Sequence, residues 1–214
     1  MKNKIYLLCK KMFGFKTKFT VKTKYIALMG INSMINSCCS VISTNSMLSS
    51  VIKTPSYTDI ISLNYIGKDI LGQLGGLFFV LKTAKNSDKK PVRYISQGII
   101  TQQIAYNLEN SLPLISNSNF LLPCLGFSSL LKNISFISIG AVNANNLQKL
   151  ESKNIGELYS KVSIINTLFS SIGMISGLGI IYLVPSYSFR SYVILPCLGI
   201  LSIYTIRKAT KMVN

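Results

Sequence analysis

The chain of 214 residues contains no histidine. That excludes Ser-His-Asp and Cys-His catalysis and removes the imidazole on which many protein metal sites rely. Acids are nearly as scarce. The six Asp and Glu residues, set against 23 Lys and Arg, never cluster as a hard-cation site requires. Cysteine is present without a pairing pattern. Cys9, Cys38, Cys39, Cys124 and Cys197 are odd in number and form no CxxC, so neither a disulfide framework nor a zinc site is indicated. All but Cys9 lie in apolar runs, where a thiol behaves as a small hydrophobe. With no set of residues suited to chemistry, the expectation is a protein that is not an enzyme and holds neither cofactor nor metal.

What is abundant points to a bilayer. The chain is 49% hydrophobic and only 14% charged, too apolar for an ordinary soluble domain. A net charge of +17 ordinarily suggests nucleic acid or an anionic membrane surface. Here the basic residues cluster between long uncharged runs instead of spreading along one face among aromatics. Nucleic acid is therefore not an expected partner, and the lipid bilayer is. The predicted fold class is all-α: a polytopic helical membrane protein with about six transmembrane helices, and at least four.

Residues 1–24 form a basic arm with eight lysines and no acid. It reads as a targeting peptide, a tether to anionic lipid, or a flank that fixes orientation. The membrane domain is expected over 25–206, followed by a basic tail at 207–214. Its first run, 25–52, is uncharged but holds seven serines and three asparagines. Ser33, Ser37, Ser40 and Thr44 share one helical face, the small-polar stripe by which membrane helices pack. The rival reading of this run is a helix lying in the interface. The second run, 59–81, carries Gly72, Gly75 and Gly76, which weaken a soluble helix but suit close packing in lipid. Runs at 94–115 and 120–144 follow, the first only weakly hydrophobic. The run at 162–184 passes twenty-three residues without a charge and has Gly173 and Gly177 at GxxxG spacing. The last, 192–206, contains Pro196 and is short for a span.

These six runs predict an orientation. Loops on the side of the N-terminus hold nineteen basic residues, whereas the opposite loops hold only Lys53 and Arg190. A lysine and arginine bias of this size sets both ends of the chain on the retained side. No internal repeat marks a transporter with duplicated halves.

The order of short motifs resembles the root UVB sensitive (RUS) family. Asn154, Glu157 and Lys161 match its N-x-x-D-V-x-A-K element, with Thr167 and Gly173 at the spacing of the S-Q-E-T and glycine that follow. Lys68, Asp69, Gly72 and Gly75 resemble a (K/R)-D-G-x-G-x-x-G segment in which Ile70 replaces the first glycine. Glu109 and Pro113 match a further element, while Ile99, Gln102 and Gln103 stand where acids or amides are expected. Gly140 to Ala144 is similar to a G-A-T-x-A element. The resemblance implies a multi-pass organellar or endomembrane protein of metabolite homeostasis, linked to vitamin B6, with the organelle (plastid, mitochondrion or endomembrane) left open.

Four ionisable residues fall inside the predicted spans: Lys68, Asp69, Glu109 and Lys132. A charge at that depth is usually paired or faces water, and these four balance. One reading is a polar cavity for an anionic or zwitterionic metabolite, with Lys68 and Lys132 as its cationic ends. The other is a neutral network that only fixes helix packing. At the level of function the choice is between a carrier with a polar interior site and a non-transporting scaffold. The scaffold would pair with another family member, or with a second copy, through its glycine-rich helix faces.

Overall fold

The computed structural model describes residues 20–52, 70, 73–74, 89–114 and 120–214. The described chain forms five helices: α1 (Val21–Ile52), α2 (Pro91–Ser111), α3 (Leu121–Leu150), α4 (Ile155–Leu183) and α5 (Tyr187–Lys211). All but α2 are long and apolar enough to cross a membrane. The predicted spans at 25–52, 94–115, 120–144, 162–184 and 192–206 each fall on one of these helices. Of the predicted span at 59–81, only Ile70, Gln73 and Leu74 are among the described residues.

Large apolar side chains ring the outside of the bundle. Tyr182, Phe136, Leu183, Tyr192, Ile175 and Ile200 are all exposed, Tyr182 to 87%. A belt of this kind suits a chain surrounded by lipid. Inside, three apolar clusters are stacked along the bundle. Tyr25, Ile95, Val142, Leu158 and Ile206 close one end, Ile42, Tyr106 and Leu195 fill the middle, and Met47, Leu112 and Leu125 close the other.

Contacts between helices give their directions. Ser33 meets Asn166 and Ser37 meets Ser170, so α1 and α4 run parallel. Asn36 meets Gln103 and Ser46 meets Asn110, so α2 runs the same way. Ser202 reaches Asn32 while Ser191 reaches Asn110, which sets α5 antiparallel to α1 and α2. Tyr25 touches Asn143 at one end of α1, and Met47 packs with Leu125 at the other, so α3 is antiparallel too. The starts of α1, α2 and α4 and the ends of α3 and α5 thus share one end of the bundle. Lys22, Lys24, Lys89, Lys90, Arg93, Lys149, Lys153, Arg207, Lys208 and Lys211 all sit there. This is the charge asymmetry expected of a membrane protein oriented by its basic flanks.

Polar links tie that end together. Lys22 Nζ lies 2.7 Å from Glu151 Oε2, and Asn214 Nδ2 donates to Asn146 Oδ1 at 2.9 Å. The hydrogen bond and charge of Lys22 hold the Glu151 carboxyl below the usual carboxylate range. Cysteines introduced at Ser152 and Asn214 are expected to react with an impermeant label from one side of the membrane, and one at Ser186 from the other. Labelling at position 186 from the same side as position 152 would reject these helix directions.

Several helix boundaries differ from those read in the sequence, α4 for one beginning at Ile155 rather than at 162. α1 begins at Val21 rather than Tyr25, because Lys22 turns outward to Glu151 instead of ending the helix. α3 runs on to Leu150 through a stretch rich in asparagine, since Asn146 is fully buried and bonded within the bundle. α5 starts at Tyr187, which removes the shortfall in length and places Arg190 in a helix, not a loop. The helix passes Pro196 by widening: residues Arg190–Ile194 form a π turn, and Leu195 N–H donates to Arg190 O, five residues back. Proline lacks an N–H and its ring crowds the carbonyl four residues earlier, so a wider turn beside it keeps the helix continuous.

Candidate functional site

The α1–α4 seam shows what the small residues do. A Cβ added at Gly173 would lie 2.1 Å from the Met34 carbonyl oxygen, and one at Gly177 would lie 2.9 Å from that of Cys38. The two backbones approach so closely that neither position has room for a side chain. Ser33 Oγ donates to Asn166 O at 3.1 Å, and the Ser37 and Ser170 hydroxyls are 2.5 Å apart. The serine stripe read on α1 therefore packs inside the chain. The glycine pair does as well, so this face of α4 is covered by α1 and is not open to a second protein. Of the other motif residues on α4, Asn154 is the residue before its first turn, Glu157 and Lys161 form an exposed ion pair at 2.5 Å, and Thr167 Oγ1 donates to Ser163 O at 2.9 Å.

Glu109 on α2 and Lys132 on α3 come together. Lys132 Nζ lies 2.5 Å from Glu109 Oε2, and Ser128 Oγ donates to Glu109 Oε1 at 2.6 Å. The glutamate is 1% exposed, whereas the lysine side chain keeps 30% of its surface. Lys132 also stands 5.1 Å from the centroid of the Tyr106 ring. Its charge is shared between a carboxylate and an aromatic face, so it is not an open cationic end. Lys68, Asp69, Gly72 and Gly75, the remaining candidates, lie outside the described residues.

Tyr106 is the wall between this ion pair and a polar cleft of about 350 Å³ lined by α1, α2, α3 and α4. Asn32, Asn36, Gln102, Asn143 and Asn166 give it an amide lining without a charged group among its lining residues. Most of these amides are held: Asn32 Oδ1 accepts from Ser202 Oγ at 2.7 Å, Asn143 Oδ1 from Tyr25 OH at 3.3 Å, and Tyr106 OH from Gln102 Nε2 at 3.0 Å. Two buried oxygens are not. Gln102 Oε1 on α2 and Asn166 Oδ1 on α4 have no hydrogen-bond partner among the described residues. A buried acceptor left unmade is costly, and two from different helices around one cleft are what a donor-bearing molecule would satisfy. The sequence singles out Gln102 and the serines of α1, but not the amide lining they share. An amide every few residues along several helices has no spacing signature, and only the packing of four helices collects them.

An all-helical bundle with an apolar belt, basic flanks at one end and a polar interior defines an integral, multi-pass membrane protein. The chain belongs to the UVB-sensitive protein family: the model of its vitamin B6 photo-protection and homoeostasis domain matches residues 20–214. The resemblance carried by Asn154, Glu157, Lys161, Thr167 and Gly173 is thus to the family it belongs to. No curated protein and no solved structure matches the chain.

Proposed function

We propose that this protein is a membrane carrier, rather than an enzyme or a scaffold, for a small polar metabolite of vitamin B6 homeostasis. The connection to vitamin B6 comes from the description of the family. The observation that carries the reading is the pair of unpartnered, buried oxygens, Gln102 Oε1 and Asn166 Oδ1, on two helices around one cleft. A cleft of about 350 Å³ falls near the lower end of ligand pockets, roughly 300–1,000 Å³, and suits a single-ring molecule. Its neutral amides favour a ligand rich in hydroxyl or N–H donors. The Lys132–Glu109 pair behind Tyr106 would hold the floor of the cleft rather than bind the ligand's charge.

Uptake of labelled pyridoxine into proteoliposomes tests this. The wild type is expected to exceed protein-free vesicles, and Gln102→Met to lose at least about tenfold, the consequence of removing one polar contact worth about 1.4 kcal/mol. A wild type indistinguishable from empty vesicles would reject the carrier reading for this ligand. Equal uptake by Gln102→Met would move the path away from this cleft.

A further inference from the structure

At the end of the bundle opposite the lysines lies a different kind of cation. Arg190 is 1% exposed, the largest fully buried side chain of the described chain. Its guanidinium rests over the Tyr187 ring, 4.5 Å from the centroid. Its Nε and Nη1 have no hydrogen-bond partner among the described residues. Those two nitrogens carry three of the five N–H donors of a guanidinium, a group that does not give up its proton in proteins.

The acids of the described chain do not answer this charge. Glu109 pairs with Lys132, Glu151 with Lys22 and Glu157 with Lys161. A buried cation that does not neutralise and has no carboxylate partner among the described residues is unfavourable by itself. It is nevertheless built in with care. Arg190 opens the π turn of α5, a rare widening that often marks functional positions. Beside it, Asn110 Nδ2 donates to Ser191 Oγ and Tyr187 O, so α2 fixes the start of α5 at this level.

We propose that Arg190 is an anion site, taking an oxyanion of the carboxylate or phosphate-ester class. The guanidinium suits the planar or tetrahedral oxygens of such groups better than an ammonium would. The oxyanion is either the headgroup of an anionic lipid or a free small anion. Both would supply the missing acceptors, and Arg190 stands near the start of α5, at the bundle end opposite the lysines. The inference stands independently of the carrier reading, since Arg190 does not line the amide cleft.

The test uses the full chain in nanodiscs of phosphatidylcholine alone or with phosphatidylglycerol, with inorganic phosphate titrated at constant ionic strength. Thermal unfolding is read for the wild type, Arg190→Met, Arg190→Lys and Asp59→Asn, the last removing an acid that lies outside the described residues. A rise in melting temperature with phosphate in phosphatidylcholine discs, absent in Arg190→Met, assigns a free oxyanion. A rise only with phosphatidylglycerol, again absent in Arg190→Met, assigns a lipid headgroup. Arg190→Lys keeps the charge without the fork and should need on the order of tenfold more phosphate or anionic lipid for the same rise. If Arg190→Met does not fold, that shift decides alone. No response of the wild type to either anion overturns the proposal. So does an equal response in wild type and Arg190 variants, which would place the anion at the lysine-rich end. A response that appears only in Asp59→Asn would assign Arg190 an internal carboxylate partner, and overturns it too.

Discussion

Replacing Gly173 with alanine is expected to pull α4 away from α1. The added carbon would stand 2.1 Å from the carbonyl oxygen of Met34 and 2.8 Å from its carbonyl carbon. These are backbone atoms in the middle of a helix, so no rotamer change relieves the clash and the two helices must separate. Separation also stretches the Ser33–Asn166 and Ser37–Ser170 hydrogen bonds on either side. We expect a loss on the order of 3 kcal/mol, the upper end of what overpacking costs. Gly177→Ala should cost less, because its new carbon meets Cys38 O at 2.9 Å and Val41 Cβ at 3.0 Å. Gly179 supplies the control, since nothing lies within 4 Å of the position a Cβ would take there. Unfolding in detergent should therefore rank the variants Gly173→Ala, Gly177→Ala, Gly179→Ala from most to least damaged. Equal stability of the first and last would mean that the seam is not formed.

The second large effect is asymmetric. Lys132→Met leaves Glu109, 1% exposed, with a negative charge and only the Ser128 hydroxyl as a partner among the described residues. Breaking a buried pair in this way costs about 3–5 kcal/mol. Glu109→Gln leaves the other partner, a lysine whose side chain keeps 30% of its surface and whose long stem can carry the ammonium outward. That variant should lose clearly less. The double variant should recover most of the loss of Lys132→Met, because both charges are gone and Ser128 still meets an amide. Melting temperatures of the four proteins check this. Additive losses would reject the pair as a unit, and a Glu109→Gln variant worse than Lys132→Met would reject the burial argument.

The fold was legible where it depends on charge and length. Apolar runs with at most one charge located each described helix, and the distribution of lysines anticipated which helix ends share a side. The Gly173–Gly177 pair announced a close approach, although the sequence could not say that its partner is α1 and not another protein. Boundaries failed where polar residues stay inside. Asn146 belongs to α3 because the bundle gives its side-chain oxygen a partner, and residues near Pro196 stay helical because a π turn absorbs the proline. Neither compensation is written in the neighbouring residues. The site was half legible. Glu109 and Lys132 stood out as charges in apolar runs, whereas the amide cleft is assembled from residues that look ordinary one helix at a time. Arg190 was misplaced for a related reason: a lone arginine near a run boundary reads as a flank unless its burial is known.

The parallel seam of α1 and α4 also sets a timetable for assembly. Ser33 and the Asn166 carbonyl it binds are 133 residues apart, so α1 has entered the bilayer long before its partner is synthesised. At roughly 5–20 residues per second, the interval is on the order of ten seconds. Throughout that time the α1 face meant for α4 meets lipid or a chaperone. Serine is well suited to such a wait, because its hydroxyl can turn back to a carbonyl of its own helix, as Ser46, Ser49 and Ser50 do in the finished protein. The α1–α4 contact therefore forms only after α2 and α3 have been made, and α1 must tolerate an open face until then.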